Sequence, residues 1–520
     1  MLLMEKAVKK LQKSEIYYLT LAIILNLIIR LFTLHPFTWT NDEFCYLTGA
    51  QELSRGEVLY RDFGDIKPPL IFYIYLLFLK IFGVSEVLTG LKIGILVLTT
   101  INIFLFWLIL RETSLPLHIK GAGVLIFALF LTAGKNGQFL AGNTEIYSLP
   151  FLLFSLWLFW KWREEFHPLL IFPGFLLALS SLVNTKNLLL FPALLSFVGI
   201  REGKNSIKKV LFLSLGFSLP FLYFLIYFWS RNALGDFYLW QVKWASIYSR
   251  QHHFKEKWIN TFRGFAFLKQ WYLLYFFILV YLGNLLFARE RRKISNLEKF
   301  VLSLLFLSLL ARSFTGKKAL RYYILLYPFL VQISCFGIAR FFSFKSGRGV
   351  FAGKILLTFS LIFFSLYHWE KNLYRNFLAI RNFNPDHVNN NPFVRYIISH
   401  STSRDKIFVW DEGDFYYFLT QRPMATSFWS PMVVLVDESL WRLNKYKGIE
   451  IFWERFFKEL KRDSPLFILD YKNYFCTRED DGEIIDRYQE KLLSYVRKHY
   501  EVVLRKENVI LWKRKERRNG

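Results

Sequence analysis

Runs of roughly 15 to 25 mostly apolar residues recur from Ile16 to about Tyr367. A run of that length satisfies its backbone inside a bilayer only as a helix, because barrel strands are short and alternate in polarity. With 54% hydrophobic residues and 57 phenylalanines among 520 residues, the chain reads as a polytopic α-helical membrane protein rather than a soluble one. The runs fall at 16–35, 87–110, 119–134, 145–160, 168–183, 187–200, 207–229, 265–288, 298–311, 320–340 and 350–368. One more, Pro68–Phe82, is short for a span at about 1.5 Å per residue. The basic loops decide its status. The N-terminal KKLQK, KWREEFH (161–167), REGKNSIKK (201–209), RERRK (289–293) and RFFSFKSGR (340–348) all face the cytoplasm only if Pro68–Phe82 does not cross. The expectation is therefore about 11 spans, with Pro68–Phe82 a juxtamembrane helix.

That topology puts the N-terminus in the cytoplasm of a cell (plasma or inner) membrane. It puts four stretches outside: the first loop (36–86), Lys135–Glu145, Ser230–Gly264 and Arg312–Leu320. The last span exits outward, so residues 1–369 form a membrane domain and 370–520 a small extracytoplasmic α/β domain. Within the latter, DKIFVWDEGDFYYFLTQRP and SPLFILDYK carry short apolar runs bounded by turns and read as strands, and WERFFKELKRD and EIIDRYQEKLLSYVRKHY as amphipathic helices. Trp410, Tyr416 and Tyr417 are expected to pack rather than touch sugar. The formal net charge of +27 sits largely in short loops, as topology determinants do, so no nucleic-acid partner is expected. Cys45, Cys335 and Cys476 are too scattered for a disulfide framework or a zinc site. The first apolar run lacks a small-residue cleavage site and reads as a span, not a signal peptide.

The stretch from Trp39 to Leu70, WTNDEFCYLTGAQELSRGEVLYRDFGDIKPPL, concentrates acids beside the first span. Asp42 and Glu43 open a helix with Phe44, Leu47 and Ala50 spaced for one side, as in an amphipathic helix at the interface. Gly56 is its expected end. Lys67-Pro68-Pro69 stiffens the chain and starts the next helix. Glu52, Asp62 and Asp65 read as the solvated side of the unit.

The order of these elements resembles the polyprenyl-phosphate-dependent glycosyltransferases of the GT-C fold, in the group of the protein O-mannosyltransferases and the lipid A aminoarabinose transferases. The family's elements correspond here to Asp42-Glu43, Tyr46, Leu53-Ser54-Arg55-Gly56 and Lys67-Pro68-Pro69-Leu70. The resemblance implies a hexosyl or pentosyl transferase that takes its sugar from a lipid phosphate. It implies Asp42 as base toward an acceptor hydroxyl, Glu43 in support, and Tyr46 as a substrate contact. A phosphate leaving group needs positive charge, which Lys67 supplies. Glu145, at the outer end of a span, matches an acid that lines the acceptor side. Relatives often carry His-Tyr ahead of a proline where this chain has Arg321-Tyr322 before Pro328.

Arg312, Lys317, Lys318 and Arg321 are expected at the outer surface, against the usual placement of cations. Lys318 and Arg321 are the best candidates for gripping the lipid phosphate, Arg312 and Tyr322 for further contacts. Lys186 either meets phosphate or snorkels to water. His252 and His253, in YSRQHHF, suggest a mobile acceptor-gating segment. No cofactor is expected, and a metal site is disfavoured, although Asp42 and Glu43 leave a divalent cation open. The expected partners are a polyprenyl-phosphate-sugar donor, membrane lipids, and a glycan, lipid or protein acceptor. Two other classes compete. A transporter or flippase of lipid-linked glycan needs repeat symmetry and polar groups at mid-span, neither of which the chain displays. A non-catalytic glycan-binding scaffold needs no base at Asp42.

Overall fold

A computed structural model describes residues 13–31, 34, 41–132, 139–164, 166–199, 203–250, 252–287, 294–317, 319–343, 348–381, 390–410, 413, 415–435, 449–471 and 487–516. The chain is mostly helical and divides into two compact units. Unit 1 comprises Met1–Thr38, Val84–Phe224 and His252–Phe383; unit 2 comprises Trp39–Gly83, Leu225–Gln251 and Asn384–Gly520.

Each apolar run from the sequence overlaps a helix or helical turn. Among the described residues five helices are long and apolar enough to cross a membrane: Lys13–Leu31, Leu70–Arg111, Ser206–Ser230, Lys269–Phe287 and Arg348–Leu378. Leu70–Arg111 is not one continuous rod. Gly83 has φ 70 and ψ 174, outside helical space and in the left-handed half that favours glycine. The break separates Leu70–Phe82 from Val84–Arg111, the division the basic loops require. Three runs are less regular than expected. The 320–340 run opens in the 3₁₀ turn Leu320–Tyr323 and its helix begins at Tyr327, and two others are broken. The 187–200 run opens in a 3₁₀ turn, Thr185–Leu190, before the short helix Phe191–Gly199. The 265–288 run is interrupted at Leu268, so Phe254–Phe267 is a separate helix from Tyr272–Phe287.

Unit 1 carries polar groups on its first helix, each with a partner as a low-dielectric setting demands. Asn26 donates to Thr99 and Thr100, both at 3.2 Å, and accepts from Arg30 Nε at 3.2 Å. Arg30 also donates to the Phe139 carbonyl at 3.1 Å.

Unit 2 contains, among the described residues, a four-stranded sheet in the order β1-β2-β4-β3: β1 (Ile407–Trp410), β2 (Phe467–Asp470), β3 (Tyr500–Lys506) and β4 (Val509–Arg514). β1 and β2 pair parallel; β4 pairs antiparallel with both β2 and β3. β1 and β2 are buried throughout, β1 being wholly apolar and β2 apolar up to the buried Asp470 at its end. The helices Glu450–Asp463 and Arg487–His499 fall where amphipathic spacing placed them. The β3–β4 hairpin turns on Glu507, at φ 52. Trp410, Tyr416 and Tyr417 are buried, and Tyr417 accepts the Val409 N–H at 2.8 Å. Ser230–Gly264 is not a loop: it is largely helical, with Leu234–Tyr238, a wide π turn Leu239–Trp244, Ala245–Ser249 and the start of Phe254–Phe267. Of the expected gating segment, Tyr248 and Ser249 end one helix, Phe254 begins another, and Glu256 accepts the His253 N–H at 3.1 Å.

Candidate active site

In unit 2 the helix Asn41–Ser54 begins with the acidic pair. It is not the one-sided surface helix its spacing suggests, because every residue from Cys45 to Glu52 is buried. Asp42 keeps part of its side chain open, 16% exposed, while Glu43 is enclosed. Lys67 Nζ donates to Asp42 Oδ1 at 3.3 Å, joining motif elements 25 residues apart. The same ammonium stands 5.4 Å from the centre of the Tyr46 ring. Burial disfavours the lysine's charge, but Asp42, Tyr46 and Asp65 outweigh it and hold its pKa well above the usual lysine value.

The lysine is fixed from behind. Asp65, 2% exposed, accepts the Lys67 N–H at 2.8 Å and the Cys45 thiol at 3.0 Å. Gln241, on the π turn, donates to the carbonyls of Asp65 (3.0 Å) and Lys67 (2.8 Å). Tyr60 sits at φ 71, a costly conformation for a bulky residue. Its hydroxyl donates to the Lys67 carbonyl at 2.9 Å, and its ring packs on Phe228 and Phe237. Gly64 lies so close to Trp240 that an added Cβ falls 2.0 Å from the indole. Its N–H reaches the Ser427 carbonyl at 2.8 Å. Arg455 completes the brace, donating to the carbonyls of Tyr60 and Arg61 and pairing with Asp236 and Glu459. Glu52 is also enclosed, 4% exposed, accepting from Arg55 at 2.6 Å and from the Met424 N–H. Burial pushes its pKa up to about 7 despite those donors. Glu52 and Asp65 are thus internal, not the solvated side expected; Asp62 is half-buried and paired with Arg61 at 2.8 Å.

In unit 1, Asn143 caps the helix Thr144–Trp162, which places Glu145 in its first turn. Glu145 is 1% exposed and accepts from Lys186 Nζ at 2.8 Å, Asn184 Nδ2 at 3.0 Å and Thr144 Oγ1 at 3.3 Å. The Lys186 ammonium is 3.4 Å from the centre of the Tyr322 ring. Arg312 and Arg321 approach the same ring at 5.3 and 5.5 Å. Three cations thus surround one tyrosine, against one carboxylate. Arg312 is fully buried, which corrects the expected surface position. It donates to Thr315 Oγ1 at 3.0 Å and to the Lys317 carbonyl, tying down the loop that leads to Arg321. Asn260 donates to the Gly316 carbonyl at 2.9 Å, and Tyr323 donates to the Thr261 carbonyl, so Phe254–Phe267 braces that loop.

Of the sequence candidates, Asp42, Glu43, Tyr46 and Lys67 share unit 2, whereas Glu145, Lys186, Arg312, Arg321 and Tyr322 share unit 1. Lys318 lies outside the described residues. Sequence reasoning missed Asn184, Gln241 and Arg455. Only Asn184 carries a local signal, as the Asx cap two residues before Lys186 whose side chain accepts the Lys186 N–H. Among the described residues no cluster of three or more His, Cys, Asp or Glu is placed to hold a metal ion.

No protein-family model and no curated protein matches the chain. Solved structures do. The crystal structure of ArnT from Cupriavidus metallidurans bound to undecaprenyl phosphate matches with a TM-score of 0.56 at 11% identity, covering 96% of this chain and 98% of that one. The apo state of the same protein matches with a TM-score of 0.55 at 11% identity, covering 95% and 97%. The chain therefore has the ArnT-like GT-C fold over nearly its whole length, as its first loop implied, and it is a multi-pass membrane protein.

Proposed function

We propose that this protein is an inverting glycosyltransferase that moves a sugar from a polyprenyl-phosphate carrier to a hydroxyl acceptor outside the cytoplasm. The observation that carries this reading is the Asp42–Lys67 pair, a partly open carboxylate beside a fixed ammonium, on the ArnT-like fold. Asp42 takes the proton of the acceptor hydroxyl as its oxygen attacks the anomeric carbon. The bond from that carbon to the phosphate oxygen breaks, and the polyprenyl phosphate leaves with the electron pair. Lys67 stays protonated at neutral pH and exchanges partners, from the carboxylate to the phosphate, so that donor binding frees the base. Glu43 supports the loop, and Tyr46 holds the lysine over its ring.

In unit 1, Lys186, Arg312 and Arg321 gather around the Tyr322 ring, and Glu145 accepts from Lys186. Glu145 is enclosed and held by several donors. We assign it to fixing Lys186 rather than to proton transfer. The undecaprenyl phosphate named with the ArnT structure is the carrier class expected here.

The test is release of polyprenyl phosphate by the purified chain, offered a panel of polyprenyl-phosphate sugars and envelope acceptors. Asp42→Asn is expected to lower release by about 10²–10⁴ with donor binding intact. Unchanged release in that variant overturns the assignment of the base. Donor crossing the bilayer without release supports a flippase instead.

A further inference from the structure

Far along the chain from the first loop, the carboxyl-terminal part of unit 2 carries an open cleft of about 1040 Å³. It is lined from three separate elements. Lys461 comes from Glu450–Asp463, Lys491 and Lys498 from Arg487–His499, and Lys513, Arg514 and Lys515 from the end of β4 and just beyond. Glu516 is the one carboxylate in that lining. Among the described residues none of these six cations makes an ion pair. Two serve the fold: Lys515 Nζ caps the helix Arg487–His499 through the carbonyls of Arg497 and Lys498, and Arg514 donates to the Ser464 carbonyl at 2.6 Å. Lys461, Lys498 and Lys513 have no such task. Gathering like charges in one concavity raises the local potential and costs stability unless a counter-ion sits there.

Aromatic groups share the lining. Tyr495 is half-buried, His499 lies 4.8 Å from it between ring centres, and Lys491 stands 4.8 Å from the Phe457 ring. Aromatic faces beside free ammonium groups are the usual chemistry for a sugar ring that carries a phosphate, sulfate or carboxylate.

We propose that this cleft binds an anionic glycan, through Lys461, Lys498 and Lys513 on its charged groups and Tyr495 on a sugar face. The concave shape favours a chain or headgroup of that kind over a flat membrane surface. A membrane-docking face relies on exposed apolar residues that enter the acyl region, whereas of the apolar and aromatic residues lining this cleft Phe457 and Tyr500 are buried and Leu466 and Tyr495 are half-buried. The inference is independent of the transfer reaction, because its readout is binding.

The experiment titrates the detergent-purified full chain with a dextran sulfate oligosaccharide, with neutral dextran of equal length and with phosphatidylglycerol vesicles. The chain with Lys461, Lys498 and Lys513 all changed to Gln is compared with a control lacking Lys255, Lys371 and Arg404, all exposed elsewhere. The expected result is an about tenfold weaker hold on dextran sulfate in the cleft variant at physiological salt, with the control close to the parent. Equal weakening in both variants shows only non-specific attraction to a basic chain and overturns the proposal. So does tight binding of the vesicles with no binding of the oligosaccharide. Unaltered melting of the cleft variant establishes that its loss is one of binding.

Discussion

Asp42–Lys67 in unit 2 and Glu145–Lys186 in unit 1 are both acid–lysine pairs, at 3.3 and 2.8 Å, yet they are built for different work. Asp42 is 16% exposed and its lysine 21%; Glu145 is 1% exposed and its lysine 14%. An open pair exchanges partners at little cost. A closed one, with a carboxylate already satisfied by Lys186, Asn184 and Thr144, holds its cation still. On the proposed function the first pair carries the chemistry and the second holds its cation in place, a distinction that can be broken in four ways.

The largest effect belongs to activity. Asp42→Asn is expected to cost about 10²–10⁴ in transfer, while Glu145→Gln, which keeps an acceptor oxygen for Asn184, stays within about tenfold. Steady-state release of polyprenyl phosphate separates the two; equal losses erase the distinction. Stability should run the other way. Glu145→Ala leaves Lys186 without its carboxylate in an enclosed site and is expected to cost about 3–5 kcal/mol, against about 1 kcal/mol or less for Asp42→Ala. Thermal unfolding in detergent gives the ranking.

Next in size is a pH effect confined to unit 2. Glu52, with a folded pKa of about 7 against 4.5 for the free group, binds its proton more readily folded than unfolded. Its contribution is complete below about pH 4.5 and is lost as pH rises through about 7, on the order of 2–3 kcal/mol. Glu52→Gln is expected to flatten that slope in melts from pH 5 to 8; a slope that persists places the titrating group elsewhere. The smallest effect is on the carrier: Lys67→Met should weaken undecaprenyl phosphate binding about tenfold, whereas Asp42→Asn leaves it unchanged. Titration of the lipid into both variants tests this.

Much of the fold was legible because bilayer physics writes itself in long apolar runs and basic loops. The expectation for Pro68–Phe82 rested on its length and on loop charge, and the structure has a break in the helix at Gly83, just after that run. Helix breaks were not legible. Polar residues do mark both places, Lys269 and Gln270 after Leu268 and Thr-Lys-Asn at the start of Thr185–Leu190, but periodicity carries no sign of the change in backbone angle there. The β3–β4 hairpin was not singled out, because the apolar core of β4, Val509–Trp512, is only four residues long and β3 mixes Val and Leu with Glu, Arg and Lys. At the site, Asp42, Tyr46 and Lys67 were found because they share one short segment. Arg455 and Gln241 were not, since they act on that segment's backbone from 394 and 174 residues away. Arg312 misled because a charge at a helix end looks exposed until its loop folds over it.

The three-segment make-up of unit 2 has a consequence for synthesis. Arg455 braces the carbonyl of Tyr60 across 395 residues. At about 5–20 residues per second, that partner emerges from the ribosome roughly 20–80 seconds after the turn it secures. During that interval the turn at Tyr60, with its costly backbone, has no Arg455 to hold it. A premature stop anywhere before Arg455 therefore leaves the first loop without this brace, and the interval in which the turn stands unbraced is set by the order of translation.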